Sequence, residues 1–290
     1  MKRIISLFTI ILLLCGCSAE SPAQIAATTL PVYEFTSRLC AGTGISVTRL
    51  VTEEVSCLHD YSLNVRQVRA AEAAELIVIS GAGLEDFMED LLHNKSVIDC
   101  SEGIALIEGG HHHEHSEEAQ PEHHHEEDPH IWLSPANAMI MATNICTGLS
   151  AQHPEYADTF EQNLAVLLAD LTALQTYGET QLNDLSCREL ITFHDGFAYL
   201  AESFGLTILE AVEEESGSEA SAAELIHLIE EVRHHNLPAI FTESLGSVSA
   251  AQIIAAETGV KIYTLNMVMH ADSYLDAMYE NIDTLKGALG

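Results

Sequence analysis

Apolar residues gather in short runs separated by longer stretches of mixed character. Residues 24–30, 45–51, 75–80 and 96–100 read as strands, and the segments between them carry helical spacing. Near-continuous apolar strands alternating with helices indicate a parallel sheet covered on both faces. The same alternation restarts at 189–193, 206–209, 238–242 and 261–265, with helices expected over 220–235 and 247–258. Between the two series, Tyr156, Phe160, Leu164, Leu167, Leu168, Leu171, Leu174 and Leu182 recur at three- and four-residue steps. One helix is expected over 154–185, roughly 45 Å long at about 1.5 Å per residue, stiff enough to allow little hinge opening. The expectation is an α/β chain: two similar (βα)4-type lobes, 24–150 and 187–290, joined by that helix. In open α/β sheets ligands sit beyond the carboxyl ends of the strands, so the cleft between the lobes is the expected site.

Composition sharpens this picture. The chain has 290 residues, 47% of them hydrophobic, enough for two domains, each expected to have its own core. Its formal net charge is -33, from 44 acidic against 11 basic residues. Such a charge repels phosphate backbones and anionic headgroups and favours cationic partners, so nucleic acid is not an expected ligand. Residues 1–17 combine a basic head at Lys2 and Arg3, an apolar run over 4–14 and the small end Cys15-Gly16-Cys17. That is a secretory signal, too short for a membrane span of roughly 20 residues. Its end resembles a bacterial lipobox, which makes Cys17 the expected lipidated residue and sets the chain on the outer face of a cell membrane, or in the periplasm where there are two membranes. An ordinary cleaved secreted protein is the alternative. Cys40, Cys57, Cys100, Cys146 and Cys187 remain; five cannot all pair, and no C-x-x-C occurs.

The chemistry lies in the histidines. Residues 109–130 read GGHHHEHSEEAQPEHHHEEDPH, with His111, His112, His113, His115, His123, His124 and His125 interleaved among carboxylates. No packed core can form from this composition, so a loop over 109–129 is expected. Dense imidazole and carboxylate donors make it a low-specificity binder of borderline divalent ions, and its internal position and acidic residues argue against an expression tag. Three further histidines stand where a cleft site belongs: His59 after the second strand, His130 after the acidic loop and His194 at the end of the fifth strand. Asp60 and Asp195 directly follow two of them and suit a role as acceptors that fix an imidazole tautomer.

HDYSL, AELIVISGAGLEDFMEDLL, DPHIWLSPANA, ITFHDGFAYLAESFGL and YLDAMYENIDTLKGALG occur in this order around the histidine-rich loop. Together they resemble the solute-binding proteins of zinc ABC importers, over nearly the whole mature chain. The resemblance implies two α/β lobes bridged by one helix, a permease as partner, no catalysis, and Zn²⁺ held by His59, His130 and His194. Manganese-binding relatives of that superfamily carry a carboxylate at the position of His194. Two departures stand out. Leu58 occupies a position usually held by proline, after Cys57, which is open to reading as a ligand, a partner for Cys100 or a buried thiol. Asn266 stands where many relatives have aspartate, which leaves the fourth position to water, His270 or Glu243.

The expected working is capture of Zn²⁺ by the histidine loop, transfer to the cleft and slight closure of a monomeric carrier that a permease recognises. Ligation needs neutral imidazole, so affinity is expected to fall below about pH 6.5. A zinc hydrolase would also use three histidines and an open position, but no H-E-x-x-H occurs. A metal-storage or adhesin lipoprotein, with the loop as its functional element, is the other alternative.

Overall fold

A computed structural model describes residues 24–53, 55, 58, 61–109, 127–212 and 220–290. Cys17, Cys57, His59, Asp60 and the seven histidines of the 111–125 segment lie outside the described residues. In chain order the first lobe contains β1 (Ile25–Ala27), α1 (Leu30–Leu39), β2 (Val47–Arg49), α2 (Val65–Ala73), β3 (Leu76–Ile79), α3 (Glu89–Leu92), β4 (Ser96–Asp99) and α4 (Pro135–Gln152). There follow α5 (Ala157–Gln181), then β5 (Glu189–Phe193), α6 (Ala198–Ser203), β6 (Thr207–Ala211), α7 (Ala222–His234), β7 (Ala239–Glu243), α8 (Ser249–Thr258), β8 (Lys261–Leu265) and α9 (Tyr274–Leu289). Both sheets are four-stranded and parallel throughout, in the orders β2-β1-β3-β4 and β6-β5-β7-β8. The two-lobed α/β architecture joined by a long helix is therefore present.

Strand alternation sorts each sheet into two faces. Ile25, Ala27, Leu76 and Val78 point into an interior that also holds Leu190, Ala239, Phe241 and Leu265 of the second sheet. Ala26, Ile77 and Ile79 face the opposite way, toward the apolar side of α2 and α3. Ile191, Phe193 and Ile240 likewise pack with Leu228 and Val232 of α7 and Ile254 of α8. The expectation of separate cores is thus corrected: one interior runs through both lobes, because α4, α5 and α9 fill the space between the inner faces of the sheets.

The connecting helix is shorter than the expected 154–185. Pro154–Tyr156 form a 3-10 turn, and α5 runs for 25 residues to Gln181, about 37 Å. Apolar periodicity marks the face of a helix but not its ends. That face is as expected, with Phe160, Leu167, Leu171 and Leu174 fully buried. Arg38 of α1 forms an ion pair with Asp170 of α5. The first strand also stops early. Thr29 is extended and Pro31 falls in the first turn of α1, where its fixed φ and missing N–H suit a helix start, so Leu30 opens the helix instead of continuing the strand.

Candidate metal centre

In each sheet the direction of strand addition reverses between the two central strands, and the crevice beyond their carboxyl ends is the place where such sheets bind ligands. In the second lobe those strands are β5 and β7. His194 follows the last residue of β5 and Glu243 is the last residue of β7; they are 8% and 3% exposed. Glu243 Oε2 lies 3.8 Å from Nδ1 of His194, within ion-pairing distance. Gly246 lets the chain turn close over that carboxylate: a Cβ there would come within 2.7 Å of Glu243 Cγ.

His130 approaches from the other lobe. It precedes a 3-10 turn, Ile131–Leu133, after which Ser134 caps α4. The imidazoles of His130 and His194 meet edge to face, with centroids 5.3 Å apart. Asp128, buried like His130, accepts at Oδ1 from both the backbone N–H of His130 at 2.8 Å and its Nδ1–H at 2.7 Å. This places the proton on Nδ1 and leaves Nε2 as the nitrogen that His130 can offer to a ligand. Two buried imidazoles from opposite lobes, one with its tautomer set by a carboxylate, form a donor pair suited to a borderline divalent cation.

The packing around the pair is close. Gly196 stands against both rings: a Cβ at this position would lie 2.8 Å from His194 Cδ2, 2.9 Å from His130 Cε1 and 2.7 Å from Met267 Cε. Trp132 is fully buried and donates from Nε1 to the carbonyl of Met267, while its own carbonyl accepts from Tyr274 Oη. These bonds tie the His130 segment to the second lobe.

The base of the histidine-rich segment is anchored beside this centre. Glu108 and Glu127 form an antiparallel bridge, and the Asp128 N–H donates to the Ile107 carbonyl. Tyr199 of α6 accepts from Ile107 N–H and donates to the Asp128 carbonyl. Burial, the largest influence on its phenol, pushes the Tyr199 hydroxyl up to about 12.

The structure thus brings together His130, His194 and Glu243 of the residues expected from sequence. Among the described residues, no group of three or more His, Cys, Asp or Glu side chains is arranged to hold a metal ion. His270 borders a neighbouring pocket of about 150 Å³ with Glu243, Asn266 and Val55, and its Nε2 accepts from the Val55 N–H at 2.9 Å. Asn266 is occupied structurally, its Oδ1 accepting from Val268 N–H. Cys40, Cys100 and Cys146 are buried free thiols and Cys187 is a half-buried one. Asp128, Gly196 and Tyr199 were missed as contributors. For Asp128 a signal existed in Asp-Pro-His, where proline favours an extended residue before it and turns the carboxylate back on the histidine.

Comparison with known proteins identifies the family. Residues 25–288 match the family model described as zinc-uptake complex component A, periplasmic. The high-affinity zinc uptake system protein ZnuA of Bacillus subtilis is 31% identical, over 94% of this chain and 90% of that protein. The zinc-binding lipoprotein AdcA of Streptococcus pneumoniae is also 31% identical over 95% of this chain, which spans only 58% of its length. A crystal structure of ZnuA superposes with a TM-score of 0.79 at 30% identity, covering 92% of this chain and all of that one. The chain therefore belongs to the periplasmic zinc-uptake component A family.

Proposed function

We propose that this protein is the extracytoplasmic zinc-binding component of an ABC-type uptake system, which captures Zn²⁺ in the cleft and delivers it to a membrane permease. The observation that carries this reading is the buried pair His130 and His194, drawn from opposite lobes, with Asp128 fixing the tautomer of one, in a member of a zinc-uptake family. His59 completes the donor set in this proposal, and water or Glu243 takes the fourth position. Three imidazoles favour zinc over hard cations, which prefer oxygen. The relatives' names, a zinc uptake protein and a zinc-binding lipoprotein, support the same cargo and an extracytoplasmic location.

Lipidation at Cys17 holds the carrier near its permease, and the histidines of the 111–125 segment gather metal close to the cleft, since the segment's base joins the chain just before His130. The protein works as a monomer and binds no nucleic acid, in keeping with its charge of -33. In this proposal it is a carrier with no catalytic step, in keeping with the zinc-uptake family to which it belongs.

Competition with a chromogenic zinc chelator tests the proposal. A chain lacking residues 110–126 is expected to keep one tight site, which His194→Ala weakens by orders of magnitude. The dense histidines of the segment favour one rival, a storage or adhesin lipoprotein that uses it as the functional element. Loss of all tight binding on its removal would support that rival and sink the carrier.

A further inference from the structure

Met267 lies just beyond β8 and touches the histidine pair on one side and a pocket on the other. A Cβ built on Gly196 would meet the Met267 methyl at 2.7 Å, His194 Cδ2 at 2.8 Å and His130 Cε1 at 2.9 Å, so the methyl sits at the junction of the two rings. His130 Cε1 is the ring carbon bonded to Nε2, the nitrogen left to a ligand by the bond from Nδ1 to Asp128. Met267 is 5% exposed, and with Glu243, Asn266 and Met269 it also lines the pocket of about 150 Å³. A water occupies about 30 Å³ of the liquid, so that pocket has room for several, with Glu243 among its polar walls. Met267 therefore stands where it can keep such water from the histidines.

The backbone around Met267 is fixed from both lobes. Its carbonyl accepts from Trp132 Nε1 of the first lobe at 2.8 Å. Asn266 exchanges two bonds with Asn281 of α9, and its Oδ1 accepts from the Val268 N–H. Val268 has a φ of 61°, a left-handed conformation unfavourable to a β-branched residue. Strain of this kind persists only where the surroundings impose it, and here it turns the chain immediately after Met267. Within that frame the Met267 side chain is unbranched and adaptable, so it can follow the rings as an ion enters and still fill the space beside them.

We infer that Met267 is a specificity-determining residue of the cleft: its apolar side chain bars pocket water from the ion and so holds the ion to four ligands. Zinc is at ease with four ligands in a tetrahedron, whereas manganese and magnesium favour six oxygen ligands and keep some of their water. A dry apolar wall beside the histidines penalises ions that must keep water and leaves zinc its full affinity. Coordination by the sulfur is the other use of a methionine at such a place. The Met267 atom at the junction of the rings is the methyl, which has no lone pair. This role rests on the cleft reading given above, and the test separates the two.

The test uses the full chain, with Co²⁺, Zn²⁺ and Mn²⁺ as probes, in the wild type, Met267→Ala, Met267→Leu and His194→Ala. Four-coordinate cobalt absorbs strongly in the visible and six-coordinate cobalt weakly, and subtracting the His194→Ala spectrum isolates the cleft ion from metal held elsewhere. Zinc and manganese affinities come from chelator competition. Met267→Ala is expected to replace the strong cobalt bands by the weak ones of a hydrated ion and to narrow the preference for zinc over manganese by roughly tenfold. Met267→Leu, close in volume and without sulfur, keeps both at wild-type values. Met267→Val, which opens part of the same space, replaces the alanine variant if that one does not fold. A cobalt spectrum and a zinc preference unchanged in Met267→Ala, with tight binding still dependent on His194, overturn the role of Met267 alone. Losses in Met267→Leu equal to those in Met267→Ala overturn it in favour of the sulfur as a ligand. Tight zinc binding indifferent to His194→Ala overturns the cleft reading and this role together.

Discussion

Gly196→Ala adds one methyl group at the point where His130 and His194 meet. The new Cβ would stand 2.7–2.9 Å from Met267 Cε, His194 Cδ2 and His130 Cε1, against an ordinary carbon contact of about 3.5–4.0 Å. The methionine methyl ends a flexible side chain and can swing aside. The imidazoles have less freedom, since Asp128 holds His130 by two bonds and both rings are buried in the cleft. Relief therefore requires the rings to part by several tenths of an ångström or the β5–α6 turn to lift. Overpacking of this kind costs roughly 1–3 kcal/mol. If the strain falls on the zinc-bound geometry, affinity drops by about 5- to 150-fold. Chelator competition reads the affinity, and urea unfolding of the zinc-free protein reads how much of the cost falls on the fold. Wild-type affinity with wild-type stability in Gly196→Ala would refute the argument that these rings are held in one arrangement for the ion.

Three other predictions follow from the same geometry. Asp128→Ala frees the His130 tautomer and strands its N–H donors, so zinc affinity is expected to fall roughly 10–100-fold by chelator competition; an unchanged affinity would mean the aspartate does not orient the ring. Tyr199→Phe removes the hydroxyl shared by Ile107 and Asp128, and a loss of about 1–3 kcal/mol in urea unfolding is expected, with no loss contradicting its anchoring role. Glu85, buried in the first lobe, accepts from Thr28 Oγ1 and from the N–H groups of Ser80 and Gly81, yet burial outweighs these donors and raises its carboxyl to about 7. Because its proton is bound more tightly in the folded state, its contribution to stability is full below about 4.5 and is lost as pH rises through about 7. Wild type should lose roughly 3 kcal/mol relative to Glu85→Gln between pH 4.5 and 8, and parallel unfolding curves would contradict this.

Much of this architecture is legible in the amino-acid order because its signals are local. Eight apolar runs became strands, those at 189–193 and 261–265 with the expected bounds and the others trimmed or shifted by a few residues, and the helical stripe of 154–185 became the buried face of α5. Helix and strand ends were less legible, since they depend on single contacts such as the turn that Pro154–Tyr156 makes before α5. The continuous interior escaped prediction because it arises from helices that pack between two sheets distant in sequence. His130 and His194 were readable from their places after a loop and a strand. The partners that orient them were harder to see. Gly196 is one glycine among 17, and only the approach of a ring from the other lobe explains it. Glu243 was expected near the site as a fourth ligand, and its place beside His194 Nδ1 depends on β5 and β7 being neighbours in the sheet.

The proposed site holds a single Zn²⁺ between the lobes on His59, His130 and His194. Anomalous diffraction at the zinc edge, from crystals of the zinc-loaded chain lacking residues 110–126, locates the ion. One strong peak is expected about 2.0–2.1 Å from a ring nitrogen of each of the three histidines, Nε2 in the case of His130. A peak away from His130 and His194, or none in a protein that still folds, would contradict it.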